Sequence, residues 1–81
     1  MDKQDLRKQA HDLDVTVWVG KSGLGAVTDE LADQLKNEDL VKVKFLRAAR
    51  GESSTDELAD ELADEVNAEL IETRGNTAVY H

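Results

Sequence analysis

The sequence has 81 residues and a formal net charge of −8, with 18 Asp and Glu against 10 Lys and Arg. A chain this short buries only about 60% of its unfolded surface, so one thin-cored domain over residues 1–81 is expected and a large multi-part enzyme is excluded. The sequence contains no cysteine, which excludes a disulfide framework and a thiolate metal site, and no apolar run approaches the roughly 20 residues that span a bilayer.

In chain order, residues 2–12 form a short helix, with Asp2 as its cap and Leu6, Ala10 and Leu13 at helical spacing. The run Val15-Thr16-Val17-Trp18-Val19 is β-branched and alternating, and reads as a strand. Its three valines share one face and Thr16 and Trp18 the other. A glycine loop follows. Leu24, Val27, Leu31 and Leu35 then recur at intervals of three and four, which predicts one amphipathic helix over residues 24–37.

Residues 40–46 alternate again, with Val41, Val43 and Phe45 opposite Lys42 and Lys44. Residues 48–54 read as a loop. Thr55 is the expected cap of a second long helix striped by Leu58, Leu62 and Val66, with Ala59 and Ala63 beside it. Residues 69–73 and 77–80 form a hairpin around Arg74-Gly75-Asn76. The expected order is α-β-α-β-α-β-β, an α+β sandwich on a four-stranded mixed sheet. The tetrapeptide DELA at residues 56–59 and 60–63 is too short a period for a solenoid.

Charge is unevenly spread. ESSTDELADELADE, residues 52–65, holds acids and no base, while LVKVKFLRAARG, residues 40–51, holds Lys42, Lys44, Arg47 and Arg50 and no acid. The acidic surplus with few large apolar residues fits a salt-adapted proteome. The polar start, MDKQDLRKQAHD, has no hydrophobic signal region, and the expected location is the cytoplasm.

The loop in WVGKSGLGAV invites a nucleotide-binding reading through Gly20-Lys21-Ser22. A Walker A loop requires a glycine five residues before Gly20, where the chain has Val15. A dinucleotide fingerprint starting at Gly23 requires Gly or Ala where the chain has Thr28, in a far longer domain. What remains is Gly20-Lys21-Ser22-Gly23 between a strand and a helix. Two glycines permit positive φ and close approach. Free N–H groups at the helix start, Lys21 and the Ser22 hydroxyl together suit a phosphate of a nucleic-acid backbone. An ordinary tight β–α turn is the competing reading of the same residues.

Strand, G-x-x-G, long helix, LVKVKFL, helix and closing hairpin together resemble the CRM domain, or YhbY family. The matching pieces are VWVGKSGLGAVTDELADQL, DLVKVKFL, ADELADEVNAELIE and RGNTAVYH. The resemblance implies a fold like the C-terminal domain of a bacterial translation initiation factor, and RNA binding, in prokaryotes to large-subunit ribosomal precursors. A KH domain places its G-x-x-G between two helices, whereas here a strand precedes it. Family members are generally basic and end in Tyr-Arg. Here Tyr80 is followed by His81 and the balance is acidic, so one phosphate contact is expected to be lost.

The expected RNA-binding residues are Gly20, Lys21, Ser22 and Gly23 as a clamp, with Trp18, Lys42, Lys44, Arg47 and Arg50 around it. Alternation puts Trp18, Lys42 and Lys44 on one sheet face. Whether the N-terminal helix covers Trp18 or leaves it open is undecided by the sequence. His11 and His81 have no metal-ligand spacing. No metal, cofactor or catalytic group is expected, and neither is a membrane association. The expected function is that of a monomeric RNA-binding accessory protein. An alternative is a protein-interaction module whose acidic helices meet a basic ribosomal protein.

Overall fold

A computed structural model describes the backbone of residues 3–81 and the side chains of residue 5 and residues 8–81. The expected Asp2 cap and the Leu6 side chain lie outside the described residues. The elements are α1 (Lys3–His11), β1 (Val15–Val19), a 3-10 turn (Leu24–Ala26), α2 (Thr28–Asn37), β2 (Val41–Phe45), α3 (Arg47–Arg50), α4 (Thr55–Val66), β3 (Leu70–Arg74) and β4 (Thr77–Tyr80). The sheet order is β1-β2-β4-β3. Strands β1 and β2 are parallel, and the remaining pairs are antiparallel. This is the α+β sandwich on a four-stranded mixed sheet that the alternation and periodicity imply.

Each strand's alternation decides what its two faces bury. Val17, Val19, Val41, Val43, Phe45, Ala78 and Tyr80 pack against Val27 and Leu31 before and within α2, and against Leu58, Ala59, Leu62 and Ala63 of α4. The DELA repeat explains the α4 stripe. A period of four returns Leu and Ala to one face, so all four are buried while Asp56, Glu57, Asp60, Glu61, Asp64 and Glu65 are exposed. The other sheet face carries a smaller cluster in which Ala10 of α1 and Leu13 meet Leu40, Ile71 and Val79. Among the described residues, helix α1 therefore meets that face at the β3–β4 side.

Three local expectations are corrected. The helix over residues 24–37 is broken: a 3-10 turn ends at Val27 (φ −115, ψ −1), and regular helix begins at Thr28. Gly25 and the β-branched pair Val27-Thr28 are poor helix formers, which accounts for the break. Ser54, not Thr55, caps α4; its hydroxyl accepts the Glu57 N–H at 3.1 Å. Residues 47–50, read partly as loop, form a single helical turn that stops at Gly51 (φ 51). The opposite end of α4 closes as a Schellman motif. Asn67 sits at φ 56, and the Ala68 N–H bonds the Ala63 carbonyl at 2.9 Å.

Tyr80 is fully buried, and its hydroxyl donates to the Ala59 carbonyl at 2.8 Å. Burial, reinforced by the Asp60 charge, pushes its ionisation above the ordinary phenol range. The phenol ionises at ~10 in the unfolded chain but stays protonated in the folded one. Its contribution is thus complete below that pH and is lost as pH rises above it. Tyr80→Phe is expected to cost about 1 kcal/mol at neutral pH. Urea melts at pH 7 and pH 11 should show the wild-type advantage over Tyr80→Phe shrinking at the higher pH. An advantage equal at both would contradict this.

Candidate nucleic-acid interface

Because β1 and β2 run parallel, both end at one edge of the sheet, and the chain leaves them side by side. The Leu46 N–H bonds the Val19 carbonyl at 2.8 Å. A Cβ added to Gly20 would stand 3.9 Å from Leu46 Cδ1. The Gly20-Lys21-Ser22-Gly23 loop and the α3 turn with Arg47 and Arg50 are therefore neighbours. Backbone pairing brings in the β3–β4 hairpin as well, since the Phe45 N–H bonds the Asn76 carbonyl at 2.8 Å.

The loop is closed by one turn bond, from the Gly23 N–H to the Gly20 carbonyl at 3.0 Å. Gly23 has φ 83 and ψ −175, a region essentially reserved for glycine. Gly20 has no such φ. The expectation of two positive-φ glycines is corrected to one, because the turn needs only its last residue to reverse. The N–H groups of Lys21, Ser22, Leu24 and Gly25 meet no backbone acceptor among the described residues. Lys21 and Ser22 are exposed. The helix start expected at Leu24 is the 3-10 turn, so the regular helix dipole of α2 begins five residues past Gly23.

Trp18 is 53% exposed. The question the alternation left open is decided by where α1 lies: it covers Leu40, Ile71 and Val79 and leaves Trp18 bare. Trp18 and Leu46 are the large apolar side chains exposed among the described residues, and both stand at this edge. Lys44 pairs directly with Trp18 across the parallel ladder. Arg47 is exposed, and Arg50 is half-buried with its Nε shielded and without a hydrogen-bond partner.

Lys42 sits apart from this group. It lies one pleat nearer α1, opposite Val79, and shares a shallow pocket with His11, Glu72 and Arg74. His11 Nε2 approaches the Glu72 carboxylate at 3.4 Å. On its other side Lys42 lines a second recess with Asp12, Asp14 and Glu38. These acids reduce the attraction Lys42 can offer an anion.

The residue the sequence reading missed is Arg74. The sequence pattern puts it in the turn, but the turn is only Gly75-Asn76, and Arg74 pairs with Thr77 inside the ladder. Gly75 at φ 60 followed by a residue outside the left-handed region is the pattern of a II′ hairpin. The signal was present, because a two-residue Gly-Asn loop forces Arg74 opposite Thr77. Lys21, Lys44, Arg47, Arg50 and Arg74, five of the ten basic residues, thus collect at one edge of an acidic chain.

Residues 1–81 match the family model described as the CRS1 / YhbY (CRM) domain. The chain belongs to the CRM domain family. It is 40% identical over 74 residues to a protein of Methanocaldococcus jannaschii named a probable RNA-binding protein, a match covering 91% of this chain and 55% of that relative. The chain thus spans about half the length of that relative. It is also similar to the solution structure of a Staphylococcus aureus protein proposed to bind RNA. That match has a TM-score of 0.78 and 30% identity, and covers 98% of this chain and 81% of the other. Within this CRM domain, His81 lies at the far end of the sheet from the loop. Its backbone pairs with Glu69 in both directions, and its Nδ1 is 2.7 Å from the Asp39 carbonyl. The departure from a Tyr-Arg ending therefore falls outside the edge where the bases collect. Among the described residues no helix is long and apolar enough to cross a membrane.

Proposed function

We propose that this protein binds RNA through the edge formed by the ends of β1 and β2, acting on large-subunit ribosomal precursor RNA in the cytoplasm. The observation that carries the reading is the joining of the Gly20-Lys21-Ser22-Gly23 turn to α3 by the Leu46–Val19 backbone bond. A phosphate at the turn would meet the N–H groups of Lys21 and Ser22, which have no backbone acceptor among the described residues, together with the Ser22 hydroxyl and the Lys21 ammonium. Arg47 and Arg50 flank it on one side, and Lys44 and Trp18 extend the surface over the sheet. Lys42 belongs to the same face at a greater distance. The M. jannaschii relative and the S. aureus structure, both associated with RNA by their descriptions, support RNA as the ligand. Nothing in the arrangement calls for catalysis: the groups at the edge are donors and cations, and no acid–base pair stands among them.

Crosslinking in the source organism followed by sequencing of the recovered RNA tests the assignment. Crosslinks concentrated on large-subunit precursor RNA are expected. Recovery dominated by unrelated transcripts would refute the ribosomal target while leaving RNA binding intact.

The acidic face of α4 supports a second reading, a contact with a basic ribosomal protein, since its six acidic residues are all exposed and only Asp56 among them bonds the sheet, accepting from the Thr73 hydroxyl at 2.6 Å. Pull-downs before and after ribonuclease separate the two. Partners retained after digestion would favour the α4 contact.

A further inference from the structure

The ladder registers place four residues in one transverse row. Trp18 pairs with Lys44, Lys44 with Thr77, and Thr77 with Arg74. Their neighbours Val19, Phe45 and Ala78 are buried under α2 and α4, so all four belong to the opposite face. Three strand spacings make the row about 14 Å long. Trp18 and Arg74 are exposed and Lys44 and Thr77 half-buried; the Trp18–Lys44 end is open, while Thr77 and Arg74 border the shallow pocket they share with His11 and Glu72. Leu46 stands beside it next to Gly20, 38% exposed. At one end the row meets the Gly20-Lys21-Ser22-Gly23 turn, and at the other the hairpin.

Resting on the RNA-binding reading above, the geometry points to this row as a platform for unpaired bases, which makes the ligand single-stranded RNA rather than duplex. A bare indole flanked by a lysine stacks a base well, but only a base whose face is free. In an A-form helix the base faces are occupied by their neighbours, so a duplex can reach the loop phosphate site but not Trp18. Lys44 and Arg74 then supply cations on either side of Thr77 for the backbone that links the stacked base to the clamp. The row also suits a chain that is acidic overall. Stacking does not depend on counterion release, so it persists where salt weakens the charge contacts.

Trp18 is the only tryptophan, so its fluorescence reports on the platform directly. A single-stranded RNA of about ten nucleotides, a length typical of single-strand-binding sites, is titrated into the protein alongside a fully paired two-strand duplex without overhangs. Single strands are expected to quench Trp18 strongly and the duplex weakly. Trp18→Ala is expected to reduce the preference for single strand over duplex about tenfold, the equivalent of ~1.4 kcal/mol, and Trp18→Phe to restore part of it. Arg74→Ala is expected to weaken single-strand binding several-fold and to lower its salt slope by about 0.7. Single-strand binding with unquenched Trp18 and an unchanged preference in Trp18→Ala would overturn the platform and leave the loop clamp standing. Absence of binding to either RNA would overturn both. Trp18 and Arg74 are exposed, so circular dichroism of the variants should match the wild type.

Discussion

Gly23→Asp is expected to lower RNA affinity about 100-fold, while Gly20→Ala changes it less than about twofold. The two glycines look equivalent in the motif but occupy different backbone states. Gly23 sits at φ 83 and ψ −175, where a side chain costs roughly 1–3 kcal/mol. An aspartate there also sets a carboxylate beside the N–H groups proposed to hold a phosphate. Losing hydrogen bonds to a charged group costs about 1.5–3 kcal/mol, and the two effects together reach the ~2.7 kcal/mol of a 100-fold change. Gly20 has no positive φ, and an added Cβ would make only an ordinary 3.9 Å contact with Leu46. Fluorescence polarisation with labelled RNA at a fixed potassium concentration measures both. Unchanged binding by Gly23→Asp would remove the loop from the interface. Equal losses in the two variants would show that the asymmetry of the turn has no functional consequence.

Reversing charge at Lys21 and Arg47 together is expected to weaken RNA binding about 100-fold near 0.1 M salt, with the gap narrowing as salt rises toward 1 M. Both side chains are exposed and on neighbouring segments. On single strands each neutralised phosphate contributes about 0.7 to the slope of log affinity against log salt. The double variant Lys21→Glu with Arg47→Glu should therefore have a slope shallower by about 1.4. Exposed substitutions of this kind change stability by within ~0.5 kcal/mol, so melting curves should overlay. Charge reversal on α4, by Asp60→Lys with Glu61→Lys, should leave the slope unchanged if RNA occupies the basic edge. A slope unaffected by Lys21→Glu and Arg47→Glu would show that cations elsewhere carry the charge contacts.

Several parts of this were legible without coordinates. Five-residue alternation in VTVWV and VKVKF indicated which side chains would be buried, and Val17, Val19, Val41, Val43 and Phe45 are; Val15, expected on the same face, is only half-buried because the ladder shifts register between it and Val17. The spacing of Leu58, Ala59, Leu62 and Ala63 fixed the inner face of α4 and so left its acids exposed. Local conflicts were harder to read. The weak helix formers at Gly25, Val27 and Thr28 broke a helix that periodicity alone would have continued. Ser54 and Thr55 are both good caps, and the choice between them depends on which backbone turns first.

The sequence by itself determined the strands, their faces, the helix stripes and the phosphate-sized loop, because periodicity and glycine chemistry act over a few residues. Only the tertiary structure decided what meets at one edge. Parallel pairing of β1 with β2 joined the Gly20-Lys21-Ser22-Gly23 turn to α3, and antiparallel pairing carried Arg74 into line with Trp18 and Lys44. The burial of Ala10 against Ile71, Val79 and Leu40 fixed α1 to one side of its face, and so decided that Trp18 would stay in solvent. These outcomes depend on which strands become neighbours. That is a property of the whole core, which no short stretch of sequence encodes.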